Sequence, residues 1–161
     1  MKKIIKRLFK TFVVLKKYDE GDLEVKKKSK KNKPLTYEEA VRGIKELKAF
    51  LMGKGEANEN FGTVLKDGSL KSIIDSLEQV VYNTPLYGGV EEKAAALLIK
   101  IVKSHPFVDG NKRIGAFLAG LLLEKNGRPA NKEVLILAAV LSASSSGQEE
   151  ELIKIIASCL S

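Results

Sequence analysis

The sequence predicts an all-α fold, a helical bundle around a central helix that begins near residue 111. Apolar residues recur at helical spacing along most of the chain, and no segment alternates apolar and polar residues as a half-buried strand would. Glycine, proline and asparagine separate the helical segments. With 161 residues, 44% of them apolar, the chain can build one domain core without metals or disulfides.

Charge divides the chain into two parts. Residues 1–33 hold 13 Lys and Arg against 4 Asp and Glu, a balance of +9. Residues 34–161 hold 15 against 16, a balance of −1. The basic character therefore belongs to an N-terminal tail and linker, which excludes a uniformly basic nucleic-acid binder. We predict a tail over 1–33 and one folded domain over 34–161.

The tail begins with an amphipathic pattern. Its apolar residues share one helical face (Ile4, Ile5, Leu8, Phe9, Phe12 and Val13). The apolar run 12–15 is too short for a signal peptide or a membrane span. Such a basic helix binds an anionic membrane or a partner, or packs on the protein's own body or an upstream domain. The lysine run 26–33 is a solvated linker or a patch that contacts nucleic-acid phosphates.

The body begins with two predicted helices. Thr36 and Glu39 form a capping box, and the helix that follows ends at the glycines near residue 53. Residues 54–69 are polar and contain glycine, which is typical of a loop. Apolar spacing from Leu70 to Val81 then predicts the second helix of the body.

Four more helices follow a second loop. One spans 90–104 and stops before Pro106, because the residue preceding a proline is driven out of the α region. The next starts near Asn111 and is apolar almost all round, which marks it as the central helix. The last two are predicted over 132–144 and 149–160.

The segment 105–116, HPFVDGNKRIGA, carries the chemistry. A glycine-containing loop opens onto a helix N-terminus, where free N–H groups and the helix dipole attract anions. Lys112 and Arg113 lie in the first turn, where cations are unfavourable unless an anion offsets them. Asp109 is a hard oxygen ligand suited to Mg²⁺, and His105 is a natural general base.

Each of these residues also has an ordinary structural interpretation. His105 could be a surface residue that ends a helix, and Asp109 could cap the next helix. Arg113 could extend along the surface of its helix, and Lys112 could be a solvated lysine. The residues alone leave these alternatives open.

The stretch HPFVDGNKRIGAF resembles the signature of the Fic/Doc (Fido) family, whose usual Fic form is H-P-F-x-[D/E]-G-N-G-R-x-x-R. Seven residues fall in register: His105, Pro106, Phe107, Asp109, Gly110, Asn111 and Arg113. The resemblance covers roughly 35–128 and includes 66–70, the region that leads to the family's substrate-binding flap, so a short flap hairpin is expected. Two further segments, YDEGDL and LMGKGEANENFG, resemble the Fic-like C-terminal part of RhuM-type virulence-associated proteins. A shortened relative lacking an N-terminal domain is therefore expected.

The resemblance implies transfer of part of a nucleotide, usually AMP from ATP, to a Ser, Thr or Tyr hydroxyl of a target protein. His105 would take the proton of that hydroxyl, and Asp109 would hold Mg²⁺ on the phosphates of ATP or another nucleoside triphosphate. Arg113 would neutralise the developing negative charge. Nucleotide binding would fall to Gly110, Asn111, Lys112 and Arg113, while Phe107 would anchor the loop in the core.

Two positions depart from the Fic form. Lys112 replaces a glycine, and Ala116 replaces the last arginine, as in Doc-type proteins, which transfer the γ-phosphate and so act as protein kinases. Gly110 keeps the Fic alternative open, because Doc often has alanine there. AMP and phosphate transfer both stay open, with phosphate transfer preferred. A degenerate domain that binds nucleotide without turnover is a further alternative.

The resemblance also bears on regulation and location. An inhibitory helix would read [S/T]-x-x-x-E-[G/N], and the segments around Glu20 and Glu150 do not match it. We therefore expect a toxin-like enzyme restrained by a separate antitoxin-like partner, or not restrained. Cys159 is the single cysteine and forms no internal disulfide, in keeping with a reducing, cytoplasmic location.

Overall fold

The computed structural model describes residues 1–24 and 32–161. Within those residues the chain forms seven helices and one small hairpin: α1 (Lys2–Asp19), α2 (Tyr37–Gly53), α3 (Ser69–Ser76), β1 (Val80–Val81), β2 (Thr84–Pro85), α4 (Val90–Ser104), α5 (Asn111–Lys125), α6 (Lys132–Ser144) and α7 (Glu149–Leu160). The prediction of an all-α fold is confirmed. Most of the predicted lysine-rich linker lies outside the described residues.

Helices α4 and α5 form the centre of the bundle. α4 packs against α3, α5, α6 and α7, while α5 also contacts α2 and α6. The run from Ala94 to Ile99 in α4 is fully buried, and its alanines let neighbouring helices approach closely. Gly115 of α5 lies where a Cβ would be 3.3 Å from the carbonyl oxygen of Leu98. This tight pair fixes the ends of the loop that carries residues 105–110.

The capping box predicts the start of α2 correctly. Thr36 Oγ1 accepts a hydrogen bond of 3.2 Å from the Glu39 N–H, and the Glu39 carboxylate accepts one of 2.9 Å from the Thr36 N–H. Lys125 Nζ lies 2.6 Å from the same carboxylate and ties the start of α2 to the end of α5. The hydrogen bonds from Lys125 and then Thr36 lower the pKa of Glu39 below its usual 4.5.

The predicted helix over 70–81 is wrong in its last part. Helix α3 ends at Ser76, and Val80–Val81 form β1, which pairs antiparallel with β2. Tyr82 and Asn83 have φ values of 49° and 60°, the left-handed conformation that a two-residue hairpin turn requires. Asparagine tolerates this conformation, and β-branched valines favour strands, so local chemistry overrides the apolar spacing.

Helix α1 lies at the edge of the molecule. None of its residues is buried, and α7 is the element it contacts within the described part of the chain. No described helix is both long enough and apolar enough to cross a membrane.

Candidate functional site

The segment 105–110 joins the two central helices and begins with a strained residue. His105 caps the C-terminus of α4 with φ 48° and ψ 56°, a left-handed conformation that usually carries glycine. Its side chain is exposed, whereas Phe107, two residues later, is 1% exposed and anchors the loop in the core. A β-carbon in this conformation costs about 1–2 kcal/mol, a cost that often accompanies function.

Asn111 holds the loop in shape. Its Oδ1 accepts a 3.0 Å hydrogen bond from the Phe107 N–H, and its Nδ2 donates a 2.8 Å bond to the Phe107 carbonyl oxygen. The side chain is 6% exposed, so both bonds are protected from water. These two bonds also fix which end of the amide carries nitrogen.

That nitrogen faces the imidazole of His105. Asn111 Nδ2 lies 3.3 Å from His105 Nδ1, and because an amide nitrogen only donates, Nδ1 accepts in this arrangement. The neutral ring then carries its proton on Nε2. A substrate proton can therefore be taken at Nδ1 after Asn111 releases it, or at Nε2 after the tautomer changes.

A segment that the sequence marked only as a loop pairs with the motif. Residues 61–65 run beside 106–109 and join them through three backbone hydrogen bonds. The Gly62 N–H donates to Asp109 (3.0 Å), the Val108 N–H donates to Thr63 (2.8 Å), and the Leu65 N–H donates to Pro106 (2.8 Å). The loop 105–110 is thus held from one side by two isolated β-bridges.

Phe61 is the residue that sequence reasoning missed. Its ring is fully buried directly beneath Gly110, where a Cβ would lie 2.6 Å from Phe61 Cδ2. Gly110 has φ 91°, so both its conformation and its contact require glycine. Phe61 is the single aromatic residue in the polar stretch 54–69, and this is the signal that could have pointed to it.

Arg113 already has partners within the protein. Its guanidinium lies 3.1 Å from the Asp109 carboxylate, donates a 2.6 Å hydrogen bond to the Glu56 carbonyl oxygen and stacks 4.7 Å from the centroid of the Phe61 ring. This arginine therefore fastens the loop before α3 onto the motif. A phosphate would have to compete with these contacts for its N–H groups.

Asp109 does not cap α5. The N-cap is Gly110, which has no side chain to cap the helix, so the N–H groups of the first turn have no side-chain acceptor there. The Asp109 carboxylate is 41% exposed and pairs with Arg113. Lys112 is exposed, and Ala116, where the Fic form has its last arginine, is half-buried.

The residues present fit one shared Mg²⁺ rather than a protein cage. Within the described residues, no cluster of three or more His, Cys, Asp or Glu could hold a metal. A single carboxylate such as Asp109 suits Mg²⁺, which keeps several waters and uses substrate phosphates as its other ligands.

Comparison with known proteins agrees with this geometry. The model of the Fic/DOC family matches residues 34–123, which is more than half of the chain. The chain belongs to the Fic/Doc family. Searches of the curated proteins and of the solved structures find no match. Family membership points to a transferase.

Five of the site residues that the Fic/Doc motif predicts lie together in the loop 105–110 and the first turn of α5. They are His105, Asp109, Gly110, Asn111 and Arg113. Lys112 lies on the exposed side of the first turn of α5, with no described ion pair. It is the predicted site residue that the structure ties least closely to the others.

Proposed function

We propose that this Fic/Doc protein transfers a phosphorus-containing group from a Mg²⁺-bound nucleoside triphosphate to a hydroxyl of a target protein. The observation that carries the proposal is His105, which is held in a left-handed conformation beside the uncapped N-terminus of α5. Glycine would cost less at that position, so we take the imidazole to be the reason for the strain. The helix start next to it supplies N–H groups for phosphate.

In the proposed step, a target Ser, Thr or Tyr oxygen attacks a phosphorus atom of the nucleotide. The new O–P bond forms as the bond to the leaving pyrophosphate or nucleoside diphosphate breaks, and His105 takes the hydroxyl proton on a freed ring nitrogen. The bound Mg²⁺ would neutralise phosphate charge, with Asp109 as its protein ligand. The Gly110–Lys112 backbone would hold the phosphate oxygens in place.

Two features favour transfer of the γ-phosphate over AMP. Ala116 offers no cation where the Fic form has its last arginine, and Lys112 adds a charged side chain where that form has glycine. The side chain of Lys112 is exposed at the helix start and free to reach a terminal phosphate.

Two contacts favour a second candidate, a domain that binds nucleotide without turnover. Asn111 occupies His105 Nδ1, and Arg113 occupies the Asp109 carboxylate. If Asn111 and Arg113 keep these two contacts when nucleotide is bound, the protein would bind phosphate at the N-terminus of α5. His105 would then not remove the proton of the target hydroxyl.

The hairpin of β1 and β2 is the proposed docking site for the target, as the family's flap implies. Tyr82 at its tip is 98% exposed. At its base, Glu78 pairs at 2.6 Å with Lys93, whose side chain is 9% exposed on α4. An extended target segment can pair with the free edge of such a hairpin.

Restraint by a separate antitoxin-like partner also belongs to the proposal. Glu20 pairs with Lys16 at 3.6 Å, and Glu150 pairs with Lys154 at 3.1 Å. Both acidic residues are thus engaged locally, each with a lysine four residues away, which agrees with the mismatch of their segments to an inhibitory motif.

The test is a pair of labelling reactions with Mg²⁺ and a bacterial lysate. One uses ATP labelled at the α-phosphate and the other ATP labelled at the γ-phosphate, each with His105→Ala and Asp109→Asn beside the unchanged protein. We expect a γ-labelled band that both substitutions abolish. An α-labelled band that depends on His105 instead establishes AMP transfer and overturns the kinase alternative.

Nucleotide binding, measured by thermal shift with ATP and Mg²⁺, separates the remaining outcomes. Stabilisation of the protein without a labelled band favours the silent binder. If neither stabilisation nor His105-dependent labelling occurs, the proposed function is wrong.

A further inference from the structure

Helix α1 presents an apolar face that the body leaves uncovered. Seven large apolar side chains on it are between 36% and 62% exposed: Ile4, Ile5, Leu8, Phe9, Phe12, Val13 and Leu15. A continuous exposed apolar surface of this kind marks a site of interaction.

The side on which α1 meets the body explains this exposure. Val14 is the one half-buried residue of the helix. At about 100° per residue, Val14 lies on the opposite side of the helix from Ile5 and Phe12. Around Val14, a cavity of about 400 Å³ lies between α1 and the body, and α1 lines it with Phe9, Val13, Lys10 and Lys17 as well. The body therefore lies against the side of α1 that carries Val14 and borders Phe9 and Val13 at one edge of the apolar face, while the rest of that face, centred on Ile5 and Phe12, points outward.

The charges of the helix select what can cover that face. Lys and Arg number seven among residues 2–17, and Asp and Glu are absent there. Within the part of the chain that the structure describes, Lys16 is the basic residue of α1 with a carboxylate within 4 Å, that of Glu20 at 3.6 Å. The outward surface is thus apolar with a cationic border.

We propose that α1 lies in the interface of an anionic lipid bilayer and holds the transferase body at a membrane surface. The apolar side chains would enter the acyl boundary while the lysines contact anionic headgroups. Its length and charges suit a helix that lies on the membrane, since α1 is not apolar enough to cross one. The body, attached through Val14, would remain in water.

Nucleic acid or a second copy of the chain would match only one of the two properties of the α1 surface, its charge or its apolar character. Nucleic acid would engage the lysines and leave Phe9 and Phe12 in water. A second copy would cover the apolar residues but would bring seven cations of each helix together. An anionic bilayer satisfies the apolar face and the charges at once. The proposal does not depend on the transfer chemistry.

The test uses the full chain and vesicles of phosphatidylcholine, alone or with one quarter phosphatidylglycerol. The chain has no tryptophan, so Phe12→Trp supplies a single fluorescent reporter on the outward face. We expect sedimentation with the anionic vesicles and a blue shift of the emission of this reporter. Vesicles of phosphatidylcholine alone should bind far less, and about 0.5 M salt should release most of the protein.

Substitutions separate the apolar contribution to vesicle binding from the electrostatic contribution. Ile5→Ser with Phe12→Ser should weaken binding roughly tenfold or more, because both side chains leave the acyl boundary. Lys3→Gln with Lys6→Gln should weaken it roughly fivefold per lysine at low salt. The matched control is Ile136→Ser with Leu137→Ser, which removes apolar side chains 61% and 62% exposed on α6 and should leave binding unchanged.

Three results would overturn the proposal. The first is the absence of binding to anionic vesicles, or binding that the Ile5 and Phe12 substitutions leave intact. The second is tighter binding to duplex DNA at equal phosphate concentration, with no effect of those substitutions. The third is a dimer in sedimentation velocity that they dissociate, without vesicle binding. Circular dichroism of each variant confirms that the helices remain folded.

Discussion

At the scale of single residues, the loop 105–110 has a left-handed backbone conformation at each of its two ends. His105 occupies a left-handed C-cap of α4, and Gly110 occupies a left-handed N-cap of α5. Glycine makes the second conformation inexpensive, whereas histidine does not relieve the first. Removing the β-carbon at residue 105 should therefore relieve strain, whereas adding one at residue 110 should destabilise the fold.

We predict that His105→Gly is more stable than His105→Ala by about 1 kcal/mol, because both lose the imidazole but only alanine keeps a β-carbon. Urea unfolding measures the difference, and both variants should lack transfer activity. Equal stabilities of the two variants would contradict the left-handed conformation of this residue.

Gly110→Ala should destabilise the fold by about 2–4 kcal/mol, since its new β-carbon meets Phe61 as well as a positive φ. The matched control is Gly127→Ala. Gly127 also has a positive φ, 68°, but nothing lies within 4 Å of the position of its Cβ, so the cost should be about 1 kcal/mol. Both values come from urea unfolding, and similar losses would argue against the close contact with Phe61.

At the scale of elements, two long-range connections organise the site. Residues 61–65 pair with the loop 105–110, and the Glu39–Lys125 pair joins the start of α2 to the end of α5. The first connection consists mainly of backbone hydrogen bonds and is independent of pH. The second depends on an ionised carboxylate.

We predict that acid weakens the contact between α2 and α5. The folded-state pKa of Glu39 lies below 4.5, so its ionised form stabilises the fold above that pH. This contribution is lost as pH falls through the lowered pKa, since Glu39 must then be protonated. Glu39→Gln keeps the capping box and should show a smaller loss of unfolding free energy between about pH 5 and 3.

Lys125→Gln is the matching change on the other partner, and it should reduce the same pH dependence, because Lys125 is the main cause of the lowered pKa. Chemical unfolding across this pH range measures both variants. If the unfolding free energy of both variants falls with pH as steeply as that of the unchanged protein, other carboxylates cause the acid sensitivity.

At the scale of the whole molecule, helix α1 and the bundle are nearly independent, and Leu23 is the buried side chain that the described part of the tail contributes. The core lies between α4 and its neighbours, and α1 contributes no buried residue. The backbone of Lys33 is nevertheless tied to the side chain of Asn126 by bonds of 2.8 and 3.0 Å. The body therefore begins close to this residue.

We predict that a chain starting at Asn32 folds with a melting temperature within a few degrees of the full chain, since few buried contacts are lost. Differential scanning calorimetry measures this. The charge balance and the apolar spacing predict residues 34–161 as one domain. A drop of more than about 10 °C would show that the tail stabilises the domain.

Local patterns in the sequence determined the helices apart from the end of α3, the position of the motif and the cationic tail. Helical spacing and capping act over a few residues, so Thr36, Pro106 and Asn111 mark boundaries that the structure keeps. Tertiary structure decided the hairpin at Val80–Val81, the fastening of Arg113 and the packing of Phe61 under Gly110. These features join segments distant along the chain, and side-chain periodicity contains no information about which distant segment will meet which. The outward direction of Ile5 and Phe12 on α1 is of the same kind, because only the contacts around Val14 determine which side of the helix the body covers.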